Sequence, residues 1–323
     1  MSIRLGRGAL DAIRLEAARA YPHEACGALL GSSQAHVSEA LALPNQETAR
    51  AGARFTIAPA DYLGAEQAAD TGTFAFESGV KNQIRGIGQE VLDLASQYGS
   101  GGRLASVVLM DTLTKYPSDP LARVNGENTS MSLVGHETGH RWGATLQFRD
   151  GGGTNDAWLG RQRAHWSFFA DSDASVLEGN EIQDQGGSFR TLTPVQRYSP
   201  FDLYSMGVLR ESEVPSTFYI ESAVVTDPAS PSFDRESAPR SAVSINGARR
   251  DVTISQVVAA MGARSPAAGS GPFEHRQAWI YVTSAGRPAD PAAISKLDGF
   301  RRAFESFFAS ATGGRMSVVT PLD

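Results

Sequence analysis

The sequence predicts an α+β fold, because segments with helical periodicity alternate with short apolar runs. Residues 8–20 and 294–308 carry apolar side chains at the spacing of one helix face. The runs 25–31 and 104–110 are short and apolar, as buried strands are. With 323 residues and 41% apolar content, the chain can bury a sizeable core and form one large or two modest domains.

Composition excludes several classes of protein. A formal net charge of -6 leaves no basic field for nucleic acid, so we expect no nucleic-acid partner. The sequence shows no apolar run long enough to cross a bilayer and no signal peptide, which predicts a cytoplasmic protein with no membrane partner. Cys26 is the only cysteine, so neither an intrachain disulfide nor a cysteine-based zinc site can form.

The first part of the chain is predicted to form one small unit that ends near Thr73. A helix over residues 8–20 is followed by strands at 25–31, 36–43 and 54–57. Pro59 then opens a helix that runs to about residue 69, because proline is favoured in the first turn of a helix.

Segments of this unit resemble the JAMM or MPN-type metalloprotease domains. They are residues 21–31, Asn45 and residues 54–62. The resemblance implies a ubiquitin-like or sulfur-carrier partner and a general base at the position of Glu24. The sequence lacks the His-x-His-Pro pair and the downstream aspartate that hold zinc in that family. We therefore interpret residues 1–73 as a truncated JAMM-like α/β segment without its zinc ligands.

A second region begins at residue 74 and leads to the most informative motif. It starts with a predicted amphipathic helix over 80–97, a strand over 104–110 and a loop over 116–126. The pentad His136-Glu137-Thr138-Gly139-His140 follows. In a helix of about 3.6 residues per turn, positions i and i+4 share a face, so both imidazoles can bind one cation. Glu137 projects elsewhere and can take a proton from a metal-activated water.

The surroundings of the pentad favour a buried helix. Polar residues at 127–130 are N-cap candidates, and an apolar face begins at Met131 and is predicted to continue to Trp142 and Leu146. Burying two histidines and a glutamate without partners is costly, and a metal ion is the natural partner. A strand followed by such a helix is the order expected of a zincin-like metalloprotease domain.

Several phrases in this region resemble a bacterial family of zinc metalloproteases. They are residues 88–90, 98–100, 140–142, 165–169, 171–176, 198–204 and 311–315. The resemblance covers about residues 74–323 and implies zinc-dependent peptidase chemistry. We divide this region into a catalytic part, 74–225, and a C-terminal α/β part, 226–323, that packs on it. The C-terminal part is predicted to contain a strand-to-helix passage at 252–260, a strand at 278–283 and a helix at 294–308.

A catalytic zinc ion needs a third protein ligand and an open position for water. His165, flanked by aromatic and apolar residues that can enclose a site, is the first candidate. Asp156 is the second, because Gly153-Thr154-Asn155-Asp156 is similar to the aspzincin motif, and Glu178 or Glu181 is the third. The short metzincin pattern fails, because Leu146 stands where its ligand would be.

Two further residues are candidates through a resemblance. Residues 203–207 resemble the Met-turn beneath metzincin zinc sites, which implies that Met206 lies under the metal and that Tyr204 assists at the oxyanion. Ordinary core packing of both side chains is the alternative.

The sequence therefore predicts a zinc metalloprotease that hydrolyses peptide or protein substrates. His136, His140 and His165 hold zinc, Glu137 is the general base and Tyr204 assists catalysis. One alternative is a non-catalytic JAMM-like binding module for a ubiquitin-like or sulfur-carrier partner, with an inert pentad. Another is a fused reading frame, because two metalloprotease-like pieces meet at residues 70–75.

Overall fold

A computed structural model of the chain is mixed α+β, as predicted. It describes residues 4–5, 7–20, 26–30, 36–37, 39–43, 75–226, 233–269, 273–283 and 286–321. The chain divides into two compact units. The first comprises Met1–Thr73 and Leu94–Arg103, and the second comprises Phe74–Asp93 and Leu104–Asp323.

The described part of the first unit contains one helix and short paired strands. They are α1 (Arg7–Ala20), β1 (Arg4–Leu5), β2 (Cys26–Leu30), β3 (His36–Val37) and β4 (Glu39–Leu43). β1 pairs in parallel with β3, and β2 pairs antiparallel with β4. The predicted helix at 8–20 and strand at 25–31 are confirmed, and β3 and β4 occupy the predicted strand at 36–43. Glu24, Asn45, the strand at 54–57 and the helix that begins at Pro59 lie outside the described residues.

The second unit contains the remaining elements. Its helices are α2 (Ser130–His140), α3 (Pro200–Met206), α4 (Ile254–Met261) and α5 (Pro291–Ala311). Its strands are β5 (Phe76–Gly79), β6 (Lys81–Asn82), β7 (Leu92–Asp93), β8 (Ser106–Leu109), β9 (Arg123–Asn125), β10 (Asn128–Thr129), β11 (Phe148–Asp150), β12 (Gly153–Asn155), β13 (Asn180–Asp184), β14 (Ser188–Pro194), β15 (Thr217–Val225), β16 (Ser244–Val252), β17 (Glu274–Arg276) and β18 (Ser317–Val319).

Helix α2 lies at the centre of the second unit. Thr129 is its N-cap: the Thr129 hydroxyl accepts a hydrogen bond from the Ser132 N–H, and the Ser132 hydroxyl accepts one from the Thr129 N–H. Every residue of α2 except His140 is buried. The helix packs against α5 and also contacts β5 and β8. The N-cap prediction at 127–130 is thus confirmed at Thr129.

Helix α5 supplies one wall of the core around α2. Asp290 caps its first turn and Pro291 occupies the first helical position. Phe300, Phe304 and Phe308 recur every four residues and are buried on its inner face. The predicted helix at 294–308 is therefore confirmed, with one additional turn near each end.

A four-stranded antiparallel sheet forms the other large element, in the order β13-β14-β16-β15. A separate apolar cluster that includes Phe168, Phe189 and Phe218 packs on this sheet. Isolated bridges join Ala170 to Tyr219 and Asp171 to Asn180. The sheet thereby anchors the loop that runs from His165 to Asn180.

The predicted amphipathic helix over 80–97 is wrong. In the second unit this stretch forms β6, a series of turns and β7. Gly88 has a φ of +84°, and a Cβ there would lie 2.2 Å from the Thr145 carbonyl oxygen, so the backbone passes too close for any side chain. Gln89 Nε2 then donates a hydrogen bond to the His140 carbonyl at 2.6 Å. Contacts with the end of α2, rather than local periodicity, determine the path of this segment.

Two other predictions are wrong: the extension of helix α2 beyond His140 and the strand at 278–283. Helix α2 stops at His140, so Trp142 and Leu146 are buried in the core beyond the helix rather than on it. Residues 278–283 form no strand, and Ile280 and Val282 are 77% and 82% exposed. The short strand β17 precedes them and pairs in parallel with β18. The strand-to-helix passage at 252–260 is confirmed by the end of β16 and by α4.

Among the helices of the described residues, none combines the length and apolar character that a membrane span requires.

His275 on β17 allows a test of the buried core. Its ring packs against Trp142 and Phe308, and burial, assisted by the nearby Arg141 guanidinium, lowers the pKa of His275 to about 4. The unfolded chain binds a proton here below a pH of about 6.5, whereas the folded chain does not, so this group removes stability as pH falls. At pH 5 the loss is about 2 kcal/mol relative to pH 8.

We therefore expect His275→Phe to shrink the stability difference between pH 8 and pH 5 by about that amount. Urea unfolding followed by tryptophan fluorescence measures it, because all four tryptophans lie in the second unit. An unchanged difference would show that the folded protein protonates His275 as readily as the unfolded chain does.

Candidate metal centre

Two of the three predicted histidine ligands project from one face of α2. His136 and His140 are one helical turn apart, and their Nε2 atoms lie 2.9 Å from each other. Gly139 permits the packing behind them, since a Cβ there would lie 2.8 Å from the Tyr198 ring. The Tyr198 hydroxyl donates to the Gly135 carbonyl at 2.6 Å, which fixes that ring against the helix.

The third histidine comes from a loop beyond the helix. His165 follows a short 3-10 helix, Arg161–Arg163, and is 3% exposed. Its Nε2 lies 3.2 Å from His136 Nε2, and the ligand atoms of all three histidines lie within 4.8 Å of one another. Among the described residues, this is the group of His, Cys, Asp and Glu side chains whose geometry can hold a metal ion. The structure thus brings His136, His140 and His165 together.

The other ring nitrogen of each histidine faces a backbone carbonyl oxygen. Nδ1 of His136 lies 2.8 Å from the Val176 carbonyl, and Nδ1 of His165 lies 2.8 Å from the Arg161 carbonyl. Nδ1 of His140 lies 3.2 Å from the Gly143 carbonyl. A carbonyl oxygen only accepts, so each Nδ1 must be the donor and carry the proton. In the neutral ring Nε2 is then unprotonated, with its lone pair available to a cation.

Burial keeps the three rings neutral. It lowers the pKa of His136 to about 4, of His140 to about 3 and of His165 to about 2, and repulsion between neighbouring histidines lowers them further. Three unprotonated nitrogens therefore converge at neutral pH with lone pairs directed at a common point. A shared cation compensates for the close approach of the three lone pairs, so the residues fit a metal ion.

Glu137 occupies the position that the pentad predicts. It lies on α2 between the two histidine ligands in sequence and is 6% exposed. Next to it, the Thr138 hydroxyl accepts a hydrogen bond from Gln277 Nε2 at 3.5 Å. The C-terminal segment after β17 thereby reaches the same helix.

A buried carboxylate that the sequence reasoning missed supports the loop from His165 to Asn180 at two points. Asp202 accepts hydrogen bonds from Trp166 Nε1 at 3.0 Å, from the Ser175 hydroxyl at 2.6 Å and from the Ser199 N–H at 2.7 Å. Trp166 follows the ligand His165, and Ser175 precedes Val176, whose carbonyl accepts from His136. Burial raises the pKa of Asp202, and these hydrogen bonds oppose the shift.

The sequence does contain a signal for Asp202. Ser199 caps α3, and Asp202 stands at the third helical position of a capping box. That pattern predicts a local role in starting a helix. The bonds to Trp166 and Ser175 depend on tertiary contacts and cannot be predicted from spacing.

The alternative carboxylate ligands have other partners. Asp156 pairs with Arg163 at 2.9 Å and with Arg235 at 3.7 Å. Glu178 pairs with Arg161 at 2.6 Å, and Glu181 lies on β13. None of these carboxylates belongs to the described group that can hold a metal ion. The geometry therefore favours His165 over all three.

Tyr204 lies in the core, at a place set by α3. It is 1% exposed, and its hydroxyl accepts a hydrogen bond from the Arg264 N–H at 3.0 Å. Met206 is the last residue of α3 and is also buried in the main core cluster. The described contacts of Tyr204 do not join it to the histidines, so its role at the oxyanion stays a prediction.

The chain matches no family model, and no significant match to it is found among characterised proteins or solved structures.

Replacement of Asp202 tests whether its hydrogen bonds hold the loop from His165 to Asn180 in place. In Asp202→Asn one carboxylate oxygen becomes an amide N–H donor, so either Trp166 Nε1 or the Ser199 N–H loses its acceptor. A buried donor without a partner costs about 1–3 kcal/mol, and we expect that loss in urea unfolding. We also expect the metal affinity, measured by competition with a chelator, to fall about tenfold because the loop from His165 to Asn180 loosens.

Asp173→Asn is the matched control for this measurement. Asp173 lies in the loop from His165 to Asn180 that Asp202 contacts, but its side chain is 46% exposed and its partner Arg197 is 3.6 Å away. Its replacement should change stability by less than about 0.5 kcal/mol. Equal effects of the two variants would contradict the role given to Asp202.

Proposed function

We propose that this protein is a zinc-dependent metallopeptidase. The observation that carries the proposal is the convergence of the Nε2 atoms of His136, His140 and His165, with Glu137 next to His136 on α2. Three nitrogen ligands that leave one position open are the donor set of catalytic zinc sites. A zincin-like catalytic domain is the corresponding fold proposal.

The spacing of the nitrogens supports zinc as the ion. Two nitrogens that each lie about 2.0–2.1 Å from one tetrahedral zinc ion are about 3.3 Å apart. The two separations from His136 Nε2 are 2.9 Å to His140 and 3.2 Å to His165, and all three ligand atoms lie within 4.8 Å of one another, so ring movements of about 1 Å bring the site to that geometry. Imidazole nitrogens also suit copper, iron and nickel, and metal analysis of the purified protein distinguishes them.

The residues divide the chemistry between them. When bound, zinc lowers the pKa of a water molecule and polarises the carbonyl of the scissile peptide bond. Glu137 accepts the proton of that water and later delivers it to the amine that leaves. The carbonyls of Val176, Arg161 and Gly143 hold the imidazoles in the orientation that this requires.

Glu137→Gln separates binding from catalysis. The amide retains the shape of the side chain but cannot accept a proton, so we expect stoichiometric zinc and a loss of turnover of at least about 10²–10⁴-fold. Cleavage of unfolded casein, with and without a chelator, measures turnover. A Glu137→Gln variant that cleaves casein as fast as wild type would contradict the role of Glu137 as the general base.

His165→Ala tests the third ligand. Two histidines hold zinc much more weakly than three, so we expect this variant to lose zinc during purification. His275→Phe is the control, because it removes a half-buried histidine outside the group and should retain one equivalent of zinc. Full zinc occupancy in His165→Ala would return the ligand role to Asp156, Glu178 or Glu181.

The same measurement addresses the JAMM-like binding module as an alternative. A wild-type protein without stoichiometric metal and without chelator-sensitive cleavage would favour that module.

A further inference from the structure

The guanidinium of Arg161 lies at the edge of the three-histidine group. Its Nη2 is 3.1 Å from His165 Nε2, the same nitrogen that lies 3.2 Å from His136 Nε2. Nδ1 of His165 carries the proton, so Nε2 is the acceptor and the Arg161 N–H is the donor. The Arg161 side chain is 39% exposed, so the guanidinium is accessible both from solvent and from the three-histidine group.

Glu178 fixes the direction of this guanidinium. Its two carboxylate oxygens accept from Arg161 Nη2 at 2.6 Å and from Nε at 3.2 Å, which is the two-pronged arrangement of a strong arginine–carboxylate pair. Glu178 has a φ of +64° and lies two residues after Val176, whose carbonyl orients His136. The loop that positions one ligand thus also positions the arginine.

Arg161 contacts both ends of the His165 ring. Its carbonyl accepts from Nδ1 at 2.8 Å, while its guanidinium donates to Nε2. A cation bound to the lone pair of Nε2 removes the acceptor of that guanidinium N–H. Glu178 still accepts from Nε and from one N–H of Nη2, so the second N–H of Nη2 is left facing the reacting centre.

We propose that Arg161 is a catalytic residue that donates a hydrogen bond to the carbonyl oxygen of the scissile peptide bond. The inference rests on the proposed peptidase function. As the water oxygen bonds to the carbonyl carbon, the C=O π pair moves onto the oxygen, and Glu137 takes the water proton. The C=O bond then re-forms, the C–N bond breaks, and the nitrogen takes the proton from Glu137. Arg161 stabilises the negative charge while it resides on oxygen.

Distance favours the carbonyl oxygen over a terminal carboxylate of the substrate. Arg161 Nη2 lies within hydrogen-bond distance of a nitrogen that faces the reacting centre, so it reaches atoms that approach the same centre. A peptide's terminal carboxylate lies at least one residue further along, about 3.5 Å for extended chain. Arg161 thereby takes the role that the resemblance assigns to Tyr204, whose hydroxyl is engaged by Arg264.

Arg161→Met tests this role against a matched control. Arg163→Met removes an arginine from the same 3-10 helix, one that pairs with Asp156 and whose side chain is 69% exposed. We expect Arg161→Met to retain one equivalent of metal, to lower kcat about 10²-fold and to leave KM nearly unchanged. Arg163→Met should match wild type in all three. Arg161→Lys should recover part of the kcat lost in Arg161→Met. Lysine restores the positive charge but not the planar guanidinium with its paired N–H donors.

Inhibitor binding gives a readout that does not depend on turnover. A phosphinic peptide places a second anionic oxygen where the carbonyl oxygen would be, whereas a mercaptoacetyl peptide binds through sulfur alone. In isothermal calorimetry we expect Arg161→Met to lower the affinity for the phosphinic peptide about 10- to 100-fold. The affinity for the mercaptoacetyl peptide should stay unchanged. Glu178→Gln should weaken the phosphinic peptide by a smaller factor.

The outcomes separate this inference from the proposed function. A wild-type protein that binds metal and both inhibitors but cleaves no peptide contradicts the proposed function. Equal phosphinic affinity in wild type and Arg161→Met contradicts the role of Arg161 alone. Loss of metal in Arg161→Met, or equal weakening of both inhibitors, would show that Arg161 merely supports His165 and would overturn the inference.

Discussion

Three hydrogen bonds from imidazole Nδ1 atoms to backbone carbonyls determine the chemistry of this site. Each bond decides which nitrogen of a ring carries its proton and therefore which nitrogen is free. The acceptors are backbone atoms, so their positions depend on the path of the chain rather than on side-chain identity. The loop from His165 to Asn180, the end of α2 and the buried Asp202 all serve to fix that path.

This dependence explains which parts of the site could be predicted from the sequence. The i, i+4 spacing of His136 and His140 follows from helix geometry, and the N-cap at Thr129 follows from local chemistry. His165 could be proposed only because a third ligand was needed. The position of His165 next to α2 depends on β-bridges that join the loop from His165 to Asn180 to the four-stranded sheet. No local sequence pattern predicts these bridges.

The fold shows the same division between local and tertiary control. Helix α5 was predictable because Phe300, Phe304 and Phe308 repeat at helical spacing and are buried by the core that they face. The segment over 80–97 has a similar apolar spacing, but Gly86 and Gly88 adopt positive φ and the chain turns instead.

The contact between Gly88 and the backbone after α2 limits how this chain can evolve. The backbone there approaches the Thr145 carbonyl so closely that no side chain fits, and Gln89 next to it satisfies the last carbonyl of the helix that holds two ligands. A change of residue or length in this turn would displace the end of α2 and with it His140. Variation in a segment far from the histidines in sequence is therefore coupled to variation in the helix, and homologues that bind metal should alter the two together or retain both.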